Sequence, residues 1–345
     1  MMTALSLLEV TENVDVLPYS HELSTFKNFD STTFRLITHD SQQEIGRIIP
    51  YVIQVFLRHY EFLKKFIIIN TNAKTVTISS ELNTFEKRSQ AFAEIAEYLR
   101  ATDELDTLKG WRNELFTCYY PSKVVYFTVE RSLAPALGIQ MYGIHINGYI
   151  PPEESKDGNL KLWVARRSLT KPTFPGMLDN TIAGGIAYPY SIYDTVMKES
   201  MEEANVDRKY VEDNISSAGV LTYLFTPKVP TSNEGKGDFF YTESHDEDHF
   251  VQPECEFIYD LKFSELEKSN ATIVGPAIND DEVSGFMLMT VEETLEAVKN
   301  GKFKPNCAIV VIDFLMRKGY ITPSSEPNYV EISRKIHRHI AYPGI

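Results

Sequence analysis

Apolar residues in the first third of the chain recur at two different periods. Between Ser41 and Phe66, the positions Ile45, Ile48, Ile49, Ile53, Phe56 and Leu57 approximate a helical stripe, with Pro50 as a kink or early break. Thr75-Val76-Thr77-Ile78 is β-branched and predicts a short strand, and Thr84 to Arg100 returns to a helical period. Residues 1–35 show no clear period and are expected to be an extended or partly ordered lead-in. After Ala134-Pro135 the texture changes. Strands are predicted at Met141–Ile150, Lys161–Ala165 and Asn180–Ala183, separated by turns rich in Pro, Gly and charge, and a helix at Ile192–Ala204. Further strands are expected at Val220–Phe225, Phe239–Tyr241, Glu256–Leu261 and Gly285–Met289, and helices at Val291–Lys299 and Ala308–Arg317.

This order predicts an α+β protein with two domains. A smaller α+β domain spans residues 1–130, and residues 131–345 form a mixed sheet packed between helices. Nothing in the first domain has the spacing of a catalytic motif, so a packing or substrate-closing role is expected there. Trp111, Tyr119 and Tyr120 are read as core before ligand wall.

Composition narrows the partners. The 34 basic and 48 acidic residues leave a net charge of -14, which opposes nonspecific attachment to nucleic acid or an anionic membrane. A small phosphorylated substrate is still compatible, because a local cluster of cations attracts phosphate even on an acidic protein. Cys118, Cys255 and Cys307 are odd in number and lack C-x-x-C spacing, so the sequence suggests neither a disulfide framework nor a zinc site. No apolar run is long enough for a membrane span, and the N-terminus carries acids where a transit peptide would carry Arg. A cytoplasmic setting is the expectation.

The stretch Ala183-Gly184-Gly185-Ile186-Ala187-Tyr188-Pro189-Tyr190 precedes a helix that ends in Lys198-Glu199-Ser200-Met201-Glu202-Glu203. On a helix Glu199, Glu202 and Glu203 stand at i, i+3 and i+4 and share one face. Their mutual repulsion costs stability unless a cation sits among them, and Mg²⁺ fits because it takes carboxylates, waters and phosphate oxygens together. Gly184 and Gly185 let backbone approach the helix and a ligand where a Cβ would intrude.

These residues resemble the box of the Nudix hydrolase family, G-x5-E-x7-R-E-U-x-E-E-x-G-U, with U apolar and the first Gly at Gly184. Glu199, Glu202 and Glu203 fall on its three helical glutamates, and Val206 on the final apolar position. Tyr190 replaces the first Glu, Lys198 the Arg, Asn205 the late Gly, and Ser200 an apolar residue. Lys198 keeps the charge, and Asn tolerates the left-handed conformation that a helix-ending Gly supplies. The blocks Tyr142–Tyr149, Leu162–Ser168, Lys171–Asp179, Phe303–Asn306 and Asp313-Phe314 look like the thiamine pyrophosphokinase-related Nudix subfamily, which carries an uncharacterised N-terminal domain.

The resemblance implies a Nudix α/β/α sandwich for the C-terminal domain. It also implies an Mg²⁺-dependent pyrophosphatase, with Mn²⁺ as substitute, that cuts thiamine diphosphate or its oxothiamine and oxythiamine forms to monophosphates in a sanitising role. Glu199, Glu202 and Glu203 become the metal ligands, with Glu203 first choice as base and Glu282 as the downstream acid. Arg166, Arg167, Lys171, Trp163, Gly184 and Gly185 become substrate contacts. Alternatives are a pyrophosphatase for ADP-ribose or a nucleotide sugar and, because Tyr190 removes a carboxylate, a noncatalytic diphosphate sensor. His145 is read as a satisfied structural histidine, and Glu243–His249 as a solvated hairpin turn.

Overall fold

A computed structural model describes residues 4–171, 173–225, 250–266 and 275–345, Leu23 by its backbone alone. The expected strand Phe239–Tyr241 and the acidic stretch Glu243–His249 lie outside the described residues. The chain divides into two compact units. The first comprises Met1–Asp15, Tyr142–Tyr223 and Cys255–His339, and the second Val16–Met141, Leu224–Glu254 and Ile340–Ile345. Neither unit is one continuous stretch, in contrast to the expected division into 1–130 and 131–345.

The chain opens with helix α1 (Leu7–Glu12) of the first unit, in place of an extended lead-in. Ser6 and Glu9 close a reciprocal capping box at its start, and Leu7 and Val10 enter the apolar core of the first unit. Six residues are too few to display a period, so the capping box was the only legible signal.

In the second unit α2 (Leu23–Thr32) leads to β1 (Phe34–Ile37) and β2 (Glu44–Ile48). These are followed by α3 (Pro50–Arg58), α4 (Tyr60–Leu63), β3 (Ile67–Asn70) and β4 (Thr75–Ile78). The strands make a mixed sheet of order β2-β1-β4-β3, in which β1 is parallel to β4. The single helix read across Ser41–Phe66 is therefore a strand and two helices. Pro50 opens α3 at its first turn, where its missing N–H costs nothing, and Ile45 and Ile48 belong to β2. Helix α5 (Phe85–Thr102) matches its expected span closely. The antiparallel pair β5 (Leu115–Tyr119) and β6 (Val125–Glu130) and the short α6 (Ala134–Leu137) complete this unit. Its core joins Phe56, Phe92, Phe127, Ile48 and Val76, all buried.

The first unit continues with β7 (Met141–Ile150), β8 (Lys161–Arg167), β9 (Leu178–Asp179) and β10 (Ile182–Gly185). Next come α7 (Ile192–Glu202), α8 (Arg208–Asn214), β11 (Ile215–Phe225), β12 (Gln252–Lys262) and β13 (Val283–Thr290). The described chain ends in α9 (Val291–Lys299), α10 (Pro305–Arg317) and α11 (Tyr329–Lys335). Among the described residues the sheet runs β11-β12-β7-β8-β13, with β10 added on β7 and β9 on β8.

Strand alternation assigns the two faces of this sheet. Gly148 pairs with Trp163 and Ile144 with Gly184, so these four share a face, and Gly184 lies against Glu199 of α7. Leu162 and Val164 point the other way, into a core with Val298 of α9 and Cys307 and Val311 of α10. The expected α+β class and helix-sheet-helix layering are thus both present.

Candidate active site

Helix α7 starts at a capping box in which Ser191 and Asp194 satisfy each other's backbone N–H groups. It ends where Asn205 takes φ +50°, the left-handed conformation that glycine supplies in the box, and buried Val206 donates its N–H to the Ser200 carbonyl at 3.0 Å. The Asn at this position therefore does the work of the Gly. Ser200, in an apolar position of the box, is fully buried.

The three glutamates occupy different surroundings. Glu203, buried at the end of α7, accepts a hydrogen bond from the Ala183 N–H at 3.0 Å, which ties the helix to β10. Burial, reinforced by the negative charges of Glu199, Asp179 and Glu282, pushes its carboxyl well above the usual range. Glu199 is also raised, by burial first, although the Lys198 ammonium 3.0 Å away pulls the other way. Glu202 is more exposed and meets the same ammonium at 2.9 Å. Lys198 thus bridges Glu199 and Glu202.

Gly184 is required by close approach. A Cβ there would stand 2.6 Å from both Cγ and Cδ of Glu199, so any side chain would drive that carboxylate away. Glu282, next to the start of β13, acts electrostatically on both Glu199 and Glu203, which places a fourth acid in their neighbourhood. It forms an ion pair with Lys171, and its carbonyl accepts from the Ser168 N–H at 2.9 Å.

The proposed substrate contacts separate. Lys171 joins the acidic group through Glu282. Arg167 holds Asp179 at 2.7 Å and donates to the carbonyls of Phe174 and Thr173, so its guanidinium is committed to anchoring that loop. Arg166 lies on the opposite face of β8, exposed, and donates to the Gly176 carbonyl at 3.0 Å. Trp163 packs its ring against Gly275, where a Cβ would stand 2.3 Å from the ring, and its buried Nε1 finds no partner among the described residues. Gly185 closes β10 opposite Gly143.

Sequence reasoning missed a buried polar group on the other face of the sheet. His145 Nδ1 lies 2.7 Å from Asn180 Oδ1, and its Nε2 lies 3.6 Å from Glu256 Oε2. Glu256 also accepts from the Tyr223 hydroxyl at 3.2 Å. His145 is thus structurally partnered, as expected. The overlooked signal was His145 and Asn147 on alternate, inward positions of an otherwise apolar strand.

A sheet between helices, with a close-approach glycine at a strand end facing a helix of glutamates, is an arrangement that can hold a divalent cation. Residues 19–141 match a family described as a domain of unknown function, DUF4743. Over 341 residues the chain is 39% identical to the uncharacterized protein YJR142W of Saccharomyces cerevisiae, covering 99% of this chain and 93% of that protein. Over 317 residues it is 31% identical to the chloroplastic Nudix hydrolase 20 of Arabidopsis thaliana, covering 85% of this chain and 74% of the relative. Among solved structures, the Nudix domain of Shewanella oneidensis NrtR complexed with ADP ribose is 13% identical, with a TM-score of 0.34, covering 54% of this chain and 92% of that one. The chain belongs to the Nudix hydrolase family. Members of this family generally use a divalent metal such as Mg²⁺, and no helix among the described residues is long and apolar enough to cross a membrane.

Proposed function

We propose that this Nudix hydrolase is a pyrophosphatase that cuts thiamine diphosphate, or its oxothiamine and oxythiamine forms, to the monophosphate. The observation that carries the chemistry is the convergence of Glu199, Glu203 and Glu282 beside Gly184. The donor set suits Mg²⁺: all carboxylate oxygens, with a cradle at Gly184 that a Cβ would fill. Glu199, Glu202 and Glu203 would hold the ion, which when bound neutralises phosphate charge and makes a water more acidic.

The chain's own residues do the rest. The Ala183 N–H fixes one oxygen of Glu203 and leaves the other to serve either as ion ligand or as acceptor of the attacking water's proton. Burial and acidic neighbours raise the proton affinity of Glu203 above that of an ordinary carboxylate, which makes it a stronger base. Lys198 orients Glu199 and Glu202, and Lys171 offers a positive charge to the diphosphate next to Glu282. The substrate class rests on the blocks Leu162–Ser168, Lys171–Asp179 and Phe303–Asn306.

The test is product analysis on thiamine diphosphate, its two oxidised analogues, ADP-ribose and a nucleotide sugar, with Mg²⁺ and then Mn²⁺. The expected product is a thiamine-type monophosphate at the highest kcat/KM. Preferential release of AMP from ADP-ribose would replace the substrate assignment. Tight binding of thiamine diphosphate without phosphate release in either metal would replace the hydrolase by a sensor.

A further inference from the structure

The sheet carries a second group of chemistry-bearing side chains that hydrolysis does not use. His145 comes from β7, Asp179 from β9 and Cys307 from the first turn of α10. All three are buried, and one ligand-capable atom of each lies within 4.8 Å of the other two.

A hydrogen-bond chain orients the imidazole. Arg317 and Lys318 hold Asp260, and Asn147 Nδ2 donates to Asp260 Oδ1 at 3.3 Å. Asn180 Nδ2 then donates to Asn147 Oδ1 and to the Cys307 carbonyl, each at 3.4 Å. Asn180 Oδ1 is therefore left as an acceptor, 2.7 Å from His145 Nδ1. That contact places a hydrogen on Nδ1 and leaves Nε2, 3.6 Å from Glu256 Oε2, as the ring nitrogen that can serve a metal once deprotonated, the arrangement usual for a ligating histidine with an outer hydrogen-bond partner.

The carboxylate and thiol are crowded. Cys307 Sγ stands 2.7 Å from Asp179 Oδ1, about the separation typical of two oxygens in a hydrogen bond, although sulfur is larger. Asp179 cannot easily swing away, because Arg167 holds its other oxygen at 2.7 Å and the Asn180 N–H donates to Oδ1 at 2.9 Å.

We propose that His145, Asp179 and Cys307 form a binding site for a zinc-class dication, separate from the glutamates of α7 and clamping β7, β9 and α10 together. One imidazole, one thiolate and one carboxylate make a borderline-soft set that suits Zn²⁺, whereas Mg²⁺ prefers the all-oxygen helix. Zinc binding displaces the Cys307 thiol proton to solvent, since the thiolate is the ligand.

The test uses the full-length chain stripped with EDTA, dialysed, and loaded with Zn²⁺ or Co²⁺ in excess Mg²⁺. The expected result is one retained zinc per chain by elemental mass spectrometry, and a thiolate-to-cobalt charge-transfer band in the near ultraviolet. Cys307→Ser should abolish the band, and Asp179→Asn should weaken zinc retention by about 10-fold or more. Glu202→Gln should leave both intact, separating this site from the hydrolytic one. Circular dichroism checks the fold of each variant; if Cys307→Ser unfolds, the cobalt spectrum of the parent decides by itself. A parent that retains no zinc, or binds cobalt without a thiolate band, overturns the proposal, as does a folded Cys307→Ser variant that binds like the parent.

Discussion

In the second unit the buried arginines are each wrapped by acceptors. Arg47 meets Asp30 at 2.7 Å and Glu44 at 2.9 Å, and Arg88 donates to the carbonyls of Tyr126 and Leu82 while lying 3.9 Å over the Tyr126 ring. In the first unit the buried charges are mostly acidic. Asp260 is answered by Arg317 and Lys318, and Asp179 by Arg167, but among the described residues Glu203 has only a backbone N–H and sits among other acids. A satisfied buried charge is a means of holding a fold, whereas one left among like charges raises the energy of the metal-free protein. The contrast agrees with the proposed site: the second unit uses charge to hold its elements, and the first gathers carboxylates around Glu203.

Glu203→Gln tests that contrast most strongly. Turnover should fall by roughly 10²-fold or more, the scale of a lost acid/base group, with circular dichroism unchanged. Stability should move the opposite way. Because the folded carboxyl of Glu203 is raised above its unfolded value, the folded chain binds the extra proton and the parent loses stability as pH climbs from the unfolded to the folded pKa. In EDTA the Gln variant should lack that slope and melt above the parent at neutral pH. Near-normal turnover at saturating Mg²⁺ would remove Glu203 from the mechanism.

Arg88→Met should do the reverse. Two carbonyls lose their donor in a buried place, so unfolding should become easier by about 2–3 kcal/mol, while kcat below the melting point stays unchanged. A thermal melt that matches the parent would show that Arg88 does not hold the second unit.

Gly184→Ala places a methyl in the Glu199 carboxylate and should cost about 10-fold in kcat/KM, the effect of roughly 1.4 kcal/mol. Gly285→Ala meets nothing within 4 Å and serves as the control. Equal rates for the two variants would show that Glu199 need not approach β10. The smallest effect is expected for Tyr190→Glu, which restores the box's first carboxylate and should tighten apparent Mg²⁺ affinity a few-fold with little change in maximal rate. Activity gained from an inactive parent at every metal concentration would mark the natural chain as a noncatalytic Nudix domain.

Much of the first unit was legible. Strand β7 spans Met141–Ile150 as expected, and α9 spans Val291–Lys299, because long periodic segments with clear turn or cap signals report themselves locally. The glutamate spacing also made the helical face readable before any packing was known. The second unit was harder. Ile45, Ile48, Ile53 and Phe56 suit a helical period when read together, but the break at Pro50 assigns the first two to a strand and the last two to a helix.

By itself the sequence determined the glutamate-bearing helix, its glycine approach and the left-handed Asn205, since each depends on residues close together in the chain. Only the tertiary structure decided that Arg167 is engaged by Asp179 while Lys171 reaches Glu282, and that α1 packs in the first unit. It alone brought Cys307 beside His145 and Asp179. The physical reason is range: capping, helical spacing and backbone φ are local, whereas ion pairs and burial depend on which strands pair and which faces the helices cover.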